Sequence, residues 1–348
     1  MKRFLLVAAA TVLVCAGLLT GCGSDNTKTE EGMQQISALQ YANALALFDE
    51  AEEVGEDSRL IARGRGIAYL GQARYSEAVE CFLQALSLSN GFVQDMDLDI
   101  NFYLAESYIG MGDYVAAEDT YTAILGLYEK PQCYYLRGNV RLLQGSLTAA
   151  QDDFKRAIAM NPKDVDMIIK IYESLQKHGY RENGLEYLDS ALASYEKSMS
   201  ALNRGRIFYY KEEYQSAAVA LEEARAADNN SSDATLYLGM TYEAVGENNY
   251  ASNVYESYLA RNPGDAFVHN QLAVCRMKLG NYDGALSSIQ AGMQVGDPAV
   301  MQTLAFNEIV IYEYLGEFQK ADALINAYLE LYPSDETAIR EQIFLNTR

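Results

Sequence analysis

Tryptophan is absent from this sequence, and its 348 residues include only five prolines and two histidines. So few prolines over such a length favour long helices over loop-rich β architecture, because proline interrupts a helix. The two histidines, His178 and His269, offer little material for acid–base or metal chemistry. Basic residues are also scarce: 27 lysines and arginines stand against 48 acids, a formal net charge of −21. A surface this acidic repels nucleic-acid phosphates and anionic lipids, so we expect neither as a direct partner.

The remaining composition is that of a globular protein. Hydrophobic residues make up 49% of the chain and charged residues 22%, which is too apolar for a disordered chain. The length alone suggests about two domains.

The first residues have the pattern of an export signal. Lys2 and Arg3 give a basic start, and residues 4–20 contain no charge. This run of 17 residues is short for a membrane-spanning helix, which needs about 20 apolar residues. Its length is typical of the apolar part of a secretory signal peptide.

The sequence LTGC at residues 19–22 ends this run and resembles the bacterial lipobox. The resemblance implies a signal peptide at residues 1–21, diacylation of Cys22 as the new N-terminus, and a position on the extracytoplasmic face of a bacterial membrane. Residues 22–32 are then the lipidated cysteine and a short polar tether. Two or more acyl chains hold a protein firmly on a bilayer without a basic patch. A signal anchor with an incidental cysteine is the alternative interpretation.

Three widely spaced cysteines lie further along the chain, at Cys81, Cys133 and Cys275. An odd number of distant cysteines in an exported protein does not indicate a disulfide scaffold. We expect them to be small buried residues on helices.

The rest of the chain is repetitive. The string YANALALFDEA at residues 41–51 returns 34 residues later as YSEAVECFLQA at residues 75–85. The same order of small and large residues recurs along the chain. Nine copies begin near residues 25, 59, 98, 131, 165, 198, 232, 266 and 302.

This spacing resembles the tetratricopeptide repeat, which has a period of 34 residues and alternates small and large positions. The resemblance implies an all-α fold, an α-α superhelical solenoid of about nine helix pairs over residues 25–335. The first copy overlaps the tether, and residues 336–348 are predicted to form a C-terminal capping helix. All five prolines fall at joints between repeats, which supports the frame independently, because a helix interior excludes proline.

One acidic segment has the alternating pattern of a calcium loop: Asp95, Asp97 and Asp99, followed by Glu106. Ile100 occupies the place where such a loop needs glycine. We therefore predict a solvated loop with an aspartate that caps a helix, and no metal or cofactor. No catalytic motif is present either, so the chain is not predicted to be an enzyme.

Aromatic and amide side chains recur on the predicted first helices, whose residues face the concave groove in the family that the chain resembles. Such side chains are the usual components of a peptide-binding groove. The predicted groove residues are Phe102, Tyr103, Tyr135, Asn139, Asn203, Arg206, Tyr209, Tyr210, Tyr237, Asn270, Phe306 and Asn307. Some of them could instead pack between neighbouring first helices.

The resulting functional hypothesis is an envelope lipoprotein that acts as a scaffold or adaptor. The family resemblance implies a protein or peptide partner in the groove, and the lipid supplies the membrane contact. The alternative is a lipoprotein that binds a glycan or another solute, with groove tyrosines stacked on sugar rings. Binding to an envelope protein or to wall glycan would distinguish the two.

Overall fold

A computed structural model of the chain describes residues 26–347. The predicted signal peptide and Cys22 lie outside the described residues. The described part forms nineteen α-helices and one 3₁₀ turn at Glu196–Ser198, and it contains no β-strand. The predicted all-α fold class is confirmed.

The described residues divide into two compact units. Residues 26–184, together with the short segment 331–334, form the N-terminal unit. Residues 185–330 and 335–347 form the C-terminal unit. The boundary falls inside one helix.

The helices of the N-terminal unit come in antiparallel pairs joined by short turns. They are α1 (Thr27–Ser37), α2 (Tyr41–Val54), α3 (Ser58–Gly71), α4 (Tyr75–Ser87), α5 (Asp95–Met111), α6 (Tyr114–Leu127), α7 (Pro131–Leu143), α8 (Leu147–Met160) and α9 (Val165–Lys177). The boundary between the units lies in α10 (Arg181–Tyr195).

The C-terminal unit continues the same alternation of first and second helices. Its helices are α11 (Ala201–Tyr210), α12 (Tyr214–Ala227), α13 (Ser232–Ala244), α14 (Asn248–Leu259), α15 (Ala266–Lys278), α16 (Tyr282–Val295), α17 (Pro298–Tyr314), α18 (Phe318–Leu331) and α19 (Glu336–Leu345). The nineteen helices of the described residues are the number expected for about nine helix pairs and one final helix.

Within a repeat, a glycine on the first helix accommodates a large side chain from the second helix. A Cβ atom on Gly138 would lie 2.5 Å from a ring carbon of Phe154. A Cβ atom on Gly239 would lie 2.1 Å from the ring of Tyr255. The two helices can approach this closely only because the glycines have no side chain, which explains the small and large alternation of the sequence.

Turns and joints follow the sequence signals. Gly112 ends α5 with a φ of +76°, a backbone conformation that favours glycine. Pro131 and Pro298 occupy the first turns of α7 and α17, where the missing amide proton costs nothing. The other three prolines lie in joints between repeats, as predicted.

The end of the chain forms the predicted helix, α19. Asp335 caps α19, and the Tyr328 hydroxyl of α18 donates a 2.6 Å hydrogen bond to the same carboxylate. Ala338 and Leu345 are buried, whereas Ile343 is exposed on the opposite side of the helix. Within residues 26–347, no helix combines the length and the apolar character needed to cross a membrane.

Candidate functional site

The structure places all twelve predicted groove residues on first helices, namely α5, α7, α11, α13, α15 and α17. Eleven of the twelve side chains are half-buried, and one is buried. In the C-terminal unit, α11 contacts α13, α13 contacts α15, and α15 contacts α17. The first helices of that unit therefore form one continuous surface, here called the first-helix face.

Tyr103 is the buried residue and was wrongly predicted as a groove residue. Its side chain is 7% exposed, and its ring stacks on Phe82 of α4 with centroids 5.7 Å apart. Tyr103 therefore belongs to the core between two repeats. The neighbouring Phe102 is half-buried and packs against Tyr121 of its own repeat at 6.2 Å.

Tyr135 and Asn139 on α7 take part in contacts within the N-terminal unit. The Tyr135 ring lies 6.1 Å from Phe154, and burial raises the pKa of its hydroxyl, an effect that a hydrogen bond with Asn139 opposes. The Asn139 carbonyl accepts a 2.5 Å hydrogen bond from Ser174 of α9. These two groove residues thus connect α7 to its neighbours.

The C-terminal unit brings five of the predicted residues together. The rings of Tyr209 and Tyr210 on α11 lie 5.5 Å apart, and they meet Tyr237 on α13 with centroids 5.7 Å and 6.1 Å away, all in edge-to-face arrangements. The hydroxyls of Tyr210 and Tyr237 lie 3.3 Å apart. The Arg206 guanidinium lies 5.3 Å from the Tyr237 ring, and it donates a 3.4 Å hydrogen bond to Asn203. These five residues are called the tyrosine cluster.

The remaining predicted residues lie further along the same face. Asn307 on α17 donates a 2.8 Å hydrogen bond to Asn270 on α15. The Phe306 ring packs against Tyr328 of its own repeat at 5.8 Å. Asn270 and Asn307 therefore form an amide pair that bridges two repeats.

Sequence reasoning missed a charged network beside the tyrosine cluster. Glu243 on α13 is buried, and its carboxylate accepts hydrogen bonds from Tyr255 at 2.7 Å and from Gln271 at 3.1 Å. Lys278 on α15 completes the network with a 2.5 Å ion pair to Glu243. The sequence contained a signal for this contact, because Lys278 follows Glu243 by 35 residues, about one repeat, so the two side chains lie on neighbouring first helices.

The aspartates of the calcium-like segment are engaged by arginines. Asp97 forms an ion pair with Arg59, and Asp99 forms one with Arg63. Among the described residues, no group of three or more histidines, cysteines or acids could hold a metal ion. Within the same residues, Cys81, Cys133 and Cys275 form no disulfide. Cys133 and Cys275 are buried, as predicted, whereas Cys81 is only half-buried.

The sequence of the N-terminal unit matches a known repeat family. Residues 30–91 and 102–165 match the family model described as tetratricopeptide repeat. The described residues therefore have an all-α fold that is similar to the tetratricopeptide repeat over the two matched segments. The matched segments cover the first four helix pairs, and paired helices recur in the C-terminal unit from α11 onwards.

Solved structures include chains that are similar to this one along most of its length. The crystal structure of yeast Tom70 is similar over 92% of this chain and 87% of that chain, with 14% sequence identity and a TM-score of 0.52. A tetratricopeptide repeat protein from Parabacteroides merdae is similar over 84% of this chain and 99% of that chain, with 14% identity and a TM-score of 0.44. At this level of identity the likeness concerns the fold alone.

Proposed function

We propose that this chain is a lipid-anchored protein of the bacterial cell envelope that serves as a protein interaction scaffold. Its partner is a protein or peptide segment that binds the first-helix face of the C-terminal unit. The single observation that carries the proposal is the tyrosine cluster, which joins two adjacent repeats on that face. The repeat array itself performs no catalysis.

The chemistry of the tyrosine cluster suits a peptide. Its three tyrosines are half-buried, so each ring keeps exposed apolar surface while its neighbours restrict its motion. Rigid aromatic side chains supply large contact areas at low cost in conformational entropy, and their hydroxyls orient hydrogen bonds. Tyrosine and arginine are also the residues most often found to dominate binding energy at protein interfaces.

The amide pair of Asn270 and Asn307 extends the same face beyond the cluster. An amide side chain can donate to a peptide carbonyl and accept from a peptide N–H, so it can bind an extended backbone without regard to sequence. Aromatic anchors at one end and amides at the other are therefore suited to an extended segment that crosses several repeats.

The anchoring part of the proposal is supported by the sequence LTGC that ends at Cys22, after a basic start and an uncharged run. The acidic body of the protein is compatible with an anchor of this kind, because acyl chains bind a bilayer without electrostatic attraction. The membrane contact and the envelope location rest on this segment.

Site-specific crosslinking tests the proposed binding face. A photoreactive phenylalanine analogue is placed at Tyr210 in the full-length protein, which is irradiated in membranes of its source and purified under denaturing conditions. The matched control carries the same analogue at Tyr250, an exposed tyrosine on second helix α14 of the same unit. We expect a defined protein adduct at position 210 and none at position 250.

A triple variant then measures the contribution of the rings. Truncating one anchor in a buried contact commonly costs about 2 kcal/mol, a roughly 30-fold loss of affinity. The change of Tyr209, Tyr210 and Tyr237 to Ala should therefore abolish capture of the crosslinked partner while the far-ultraviolet circular dichroism stays that of the parent. A folded triple variant with parental affinity, or adducts that contain glycan and no protein, would contradict the proposal.

A further inference from the structure

The loop between α4 and α5 exposes two large apolar side chains. Phe92 is 78% exposed and Val93 is 61% exposed, and Phe92 is the most exposed large apolar side chain among residues 26–347. The Phe92 N–H donates a 3.1 Å hydrogen bond to the Asn90 side chain, and Gly91 has a φ of +85°. This tight turn holds Phe92 outward at the tip of the loop.

The start of α1 is fixed to the first joint between repeats. The Asp57 N–H donates a 3.1 Å hydrogen bond to the Asn26 side chain. The Glu56 carboxylate accepts 2.8 Å hydrogen bonds from the N–H groups of Lys28 and Thr29. The N-terminal end of the described chain therefore lies against the loop between α2 and α3.

Arg59 connects this first joint to the second one. It lies in the first turn of α3, and its guanidinium donates hydrogen bonds to the Gln94 side chain at 3.2 Å and to the Ala85 carbonyl at 3.1 Å. Gln94 directly follows Val93. The N-terminal end of α1 and the loop with Phe92 and Val93 thus lie on the same edge of the N-terminal unit, here called the joint edge.

Further apolar side chains are exposed where second helices end on the joint edge. They are Val54, Leu88, Leu127, Tyr128 and Met160. These side chains add exposed apolar surface to that of the loop.

The distance between Cys22 and the joint edge is limited by the chain itself. Asn26 is the fourth residue after Cys22, and four residue steps of fully extended chain span at most about 14 Å. An acylated Cys22 lies at the bilayer surface, so the joint edge must lie close to the headgroups. Exposed apolar side chains on that edge then face the membrane interface.

Asp95, two residues after Val93, is exposed at the start of α5, whereas other acids near the loop are engaged within the protein. Glu56 is buried and hydrogen-bonded, Asp57 caps α3, and Asp97 pairs with Arg59. The overall charge of −21 still disfavours anionic lipids, so the suitable surface is zwitterionic. Two apolar side chains bind a bilayer too weakly to hold a free protein, but the anchor makes their contact intramolecular.

We propose that Phe92 and Val93 enter the interface of the bilayer that holds the acyl chains of Cys22. This second contact orients the joint edge towards the membrane. The inference rests on the lipid anchor in the proposed function. The surface that the loop contacts is a zwitterionic lipid bilayer. The test distinguishes this contact from a partner protein bound to the same loop.

The absence of tryptophan makes the test direct, because a single introduced tryptophan is the only such reporter. The full-length lipidated protein with Phe92→Trp is reconstituted into phosphatidylcholine vesicles whose acyl chains carry bromine, which quenches tryptophan at short range. Val93→Trp is an independent second reporter on the same loop. The control is Val115→Trp, 66% exposed in the first turn of α6.

Val115 is a matched control because it lies at the opposite edge of the same unit. The 17-residue helix α5 runs from the joint edge to the turn before α6, and a helix of that length spans about 25 Å. We expect several-fold stronger quenching and a blue-shifted emission at positions 92 and 93, and neither at position 115.

The outcomes separate this inference from the anchor. If the protein floats with the vesicles but quenching at positions 92 and 93 equals that at position 115, the membrane contact is wrong and the anchor stands. If bromine quenching is absent at positions 92 and 93 and their emission shifts to the blue only after membrane proteins are added, the loop binds a protein instead. If the protein does not float, both the anchor and this inference fail.

Discussion

The Arg137 guanidinium forms two hydrogen bonds with the Asp153 carboxylate, at 2.9 Å and 2.7 Å, across the two helices of one repeat. Asp153 has no exposed surface, and Arg141 contributes a third contact at 2.9 Å. The paired carboxylate raises the pKa of Arg137, because the hydrogen bonds that the guanidinium donates to Asp153 favour its charged form. A fully buried acid thus joins α7 to α8.

Removing this carboxylate should destabilise the N-terminal unit strongly. Asp153→Ala leaves two arginines without their buried partner, and breaking a buried ion pair costs about 3–5 kcal/mol. The matched control is Asp152→Ala, because Asp152 is the neighbouring aspartate and is exposed. Urea denaturation followed by circular dichroism measures both. Equal midpoints for the two variants would contradict the importance of the buried pair.

The sequence predicted the number and phase of the helix pairs because the repeat signal is local. Small and large residues at fixed spacing, such as Gly138 and Phe154, indicate one packing contact that recurs in other copies, for example between Gly239 and Tyr255. The pairing of Arg137 with Asp153 could not be predicted in the same way. It depends on which rotamers bring two charges together across a helix interface, and no periodic pattern encodes that.

Two glycine substitutions with opposite expected effects on stability test the packing within the repeats. Gly138→Ala places a Cβ 2.5 Å from the Phe154 ring, and overpacking of this kind costs about 1–3 kcal/mol. Gly126→Ala is the control, since Gly126 lies in α6 with nothing within 4 Å of its Cβ position. That change should stabilise the helix by about 0.5–1 kcal/mol. Melting temperatures that shift in the same direction for both variants would show that the glycine contact is not a packing constraint.

The C-terminal end should become less stable as the pH rises. Burial, with the nearby Glu341 carboxyl as a lesser cause, raises the pKa of Glu313 to about 8. The folded state therefore holds a proton that the unfolded state loses between about pH 4.5 and 8, so stability falls across that range. Glu313→Gln should remove this dependence and stabilise the protein at pH 9.

The control for this titration is Glu330→Gln, an exposed acid on α18 of the same unit. Denaturation midpoints in urea are compared at pH 5 and pH 9 for the parent and both variants. The parent and Glu330→Gln should lose stability between the two pH values more than Glu313→Gln does. An identical loss in all three proteins would assign the dependence to other groups.

The candidate site was predictable only in part. The position of a residue on a first helix follows from the repeat frame, and the structure places all twelve predicted residues there. Whether a ring lies in the core or on the first-helix face depends on the space that neighbouring side chains leave around it. Tyr103 stacks on Phe82 because α4 provides a flat aromatic partner, whereas Tyr210 meets Tyr237 on the face. The repeat pattern of the sequence does not distinguish the position of Tyr103 from that of Tyr210.

Lipidation at Cys22 is the prediction on which the membrane contact depends. Cys22→Ala should block acylation and leave the protein either unprocessed or released, because the acyl chains attach through that thiol. Cys15→Ala is the matched control, since Cys15 lies in the same apolar run but is predicted to be removed with the signal peptide. Incorporation of an alkyne-tagged fatty acid, partition into detergent and the mass of the N-terminal peptide measure the effect. If Cys22→Ala retains the label and the membrane fraction of the parent, the signal-anchor interpretation replaces the lipobox, and an uncleaved N-terminal peptide would identify it directly.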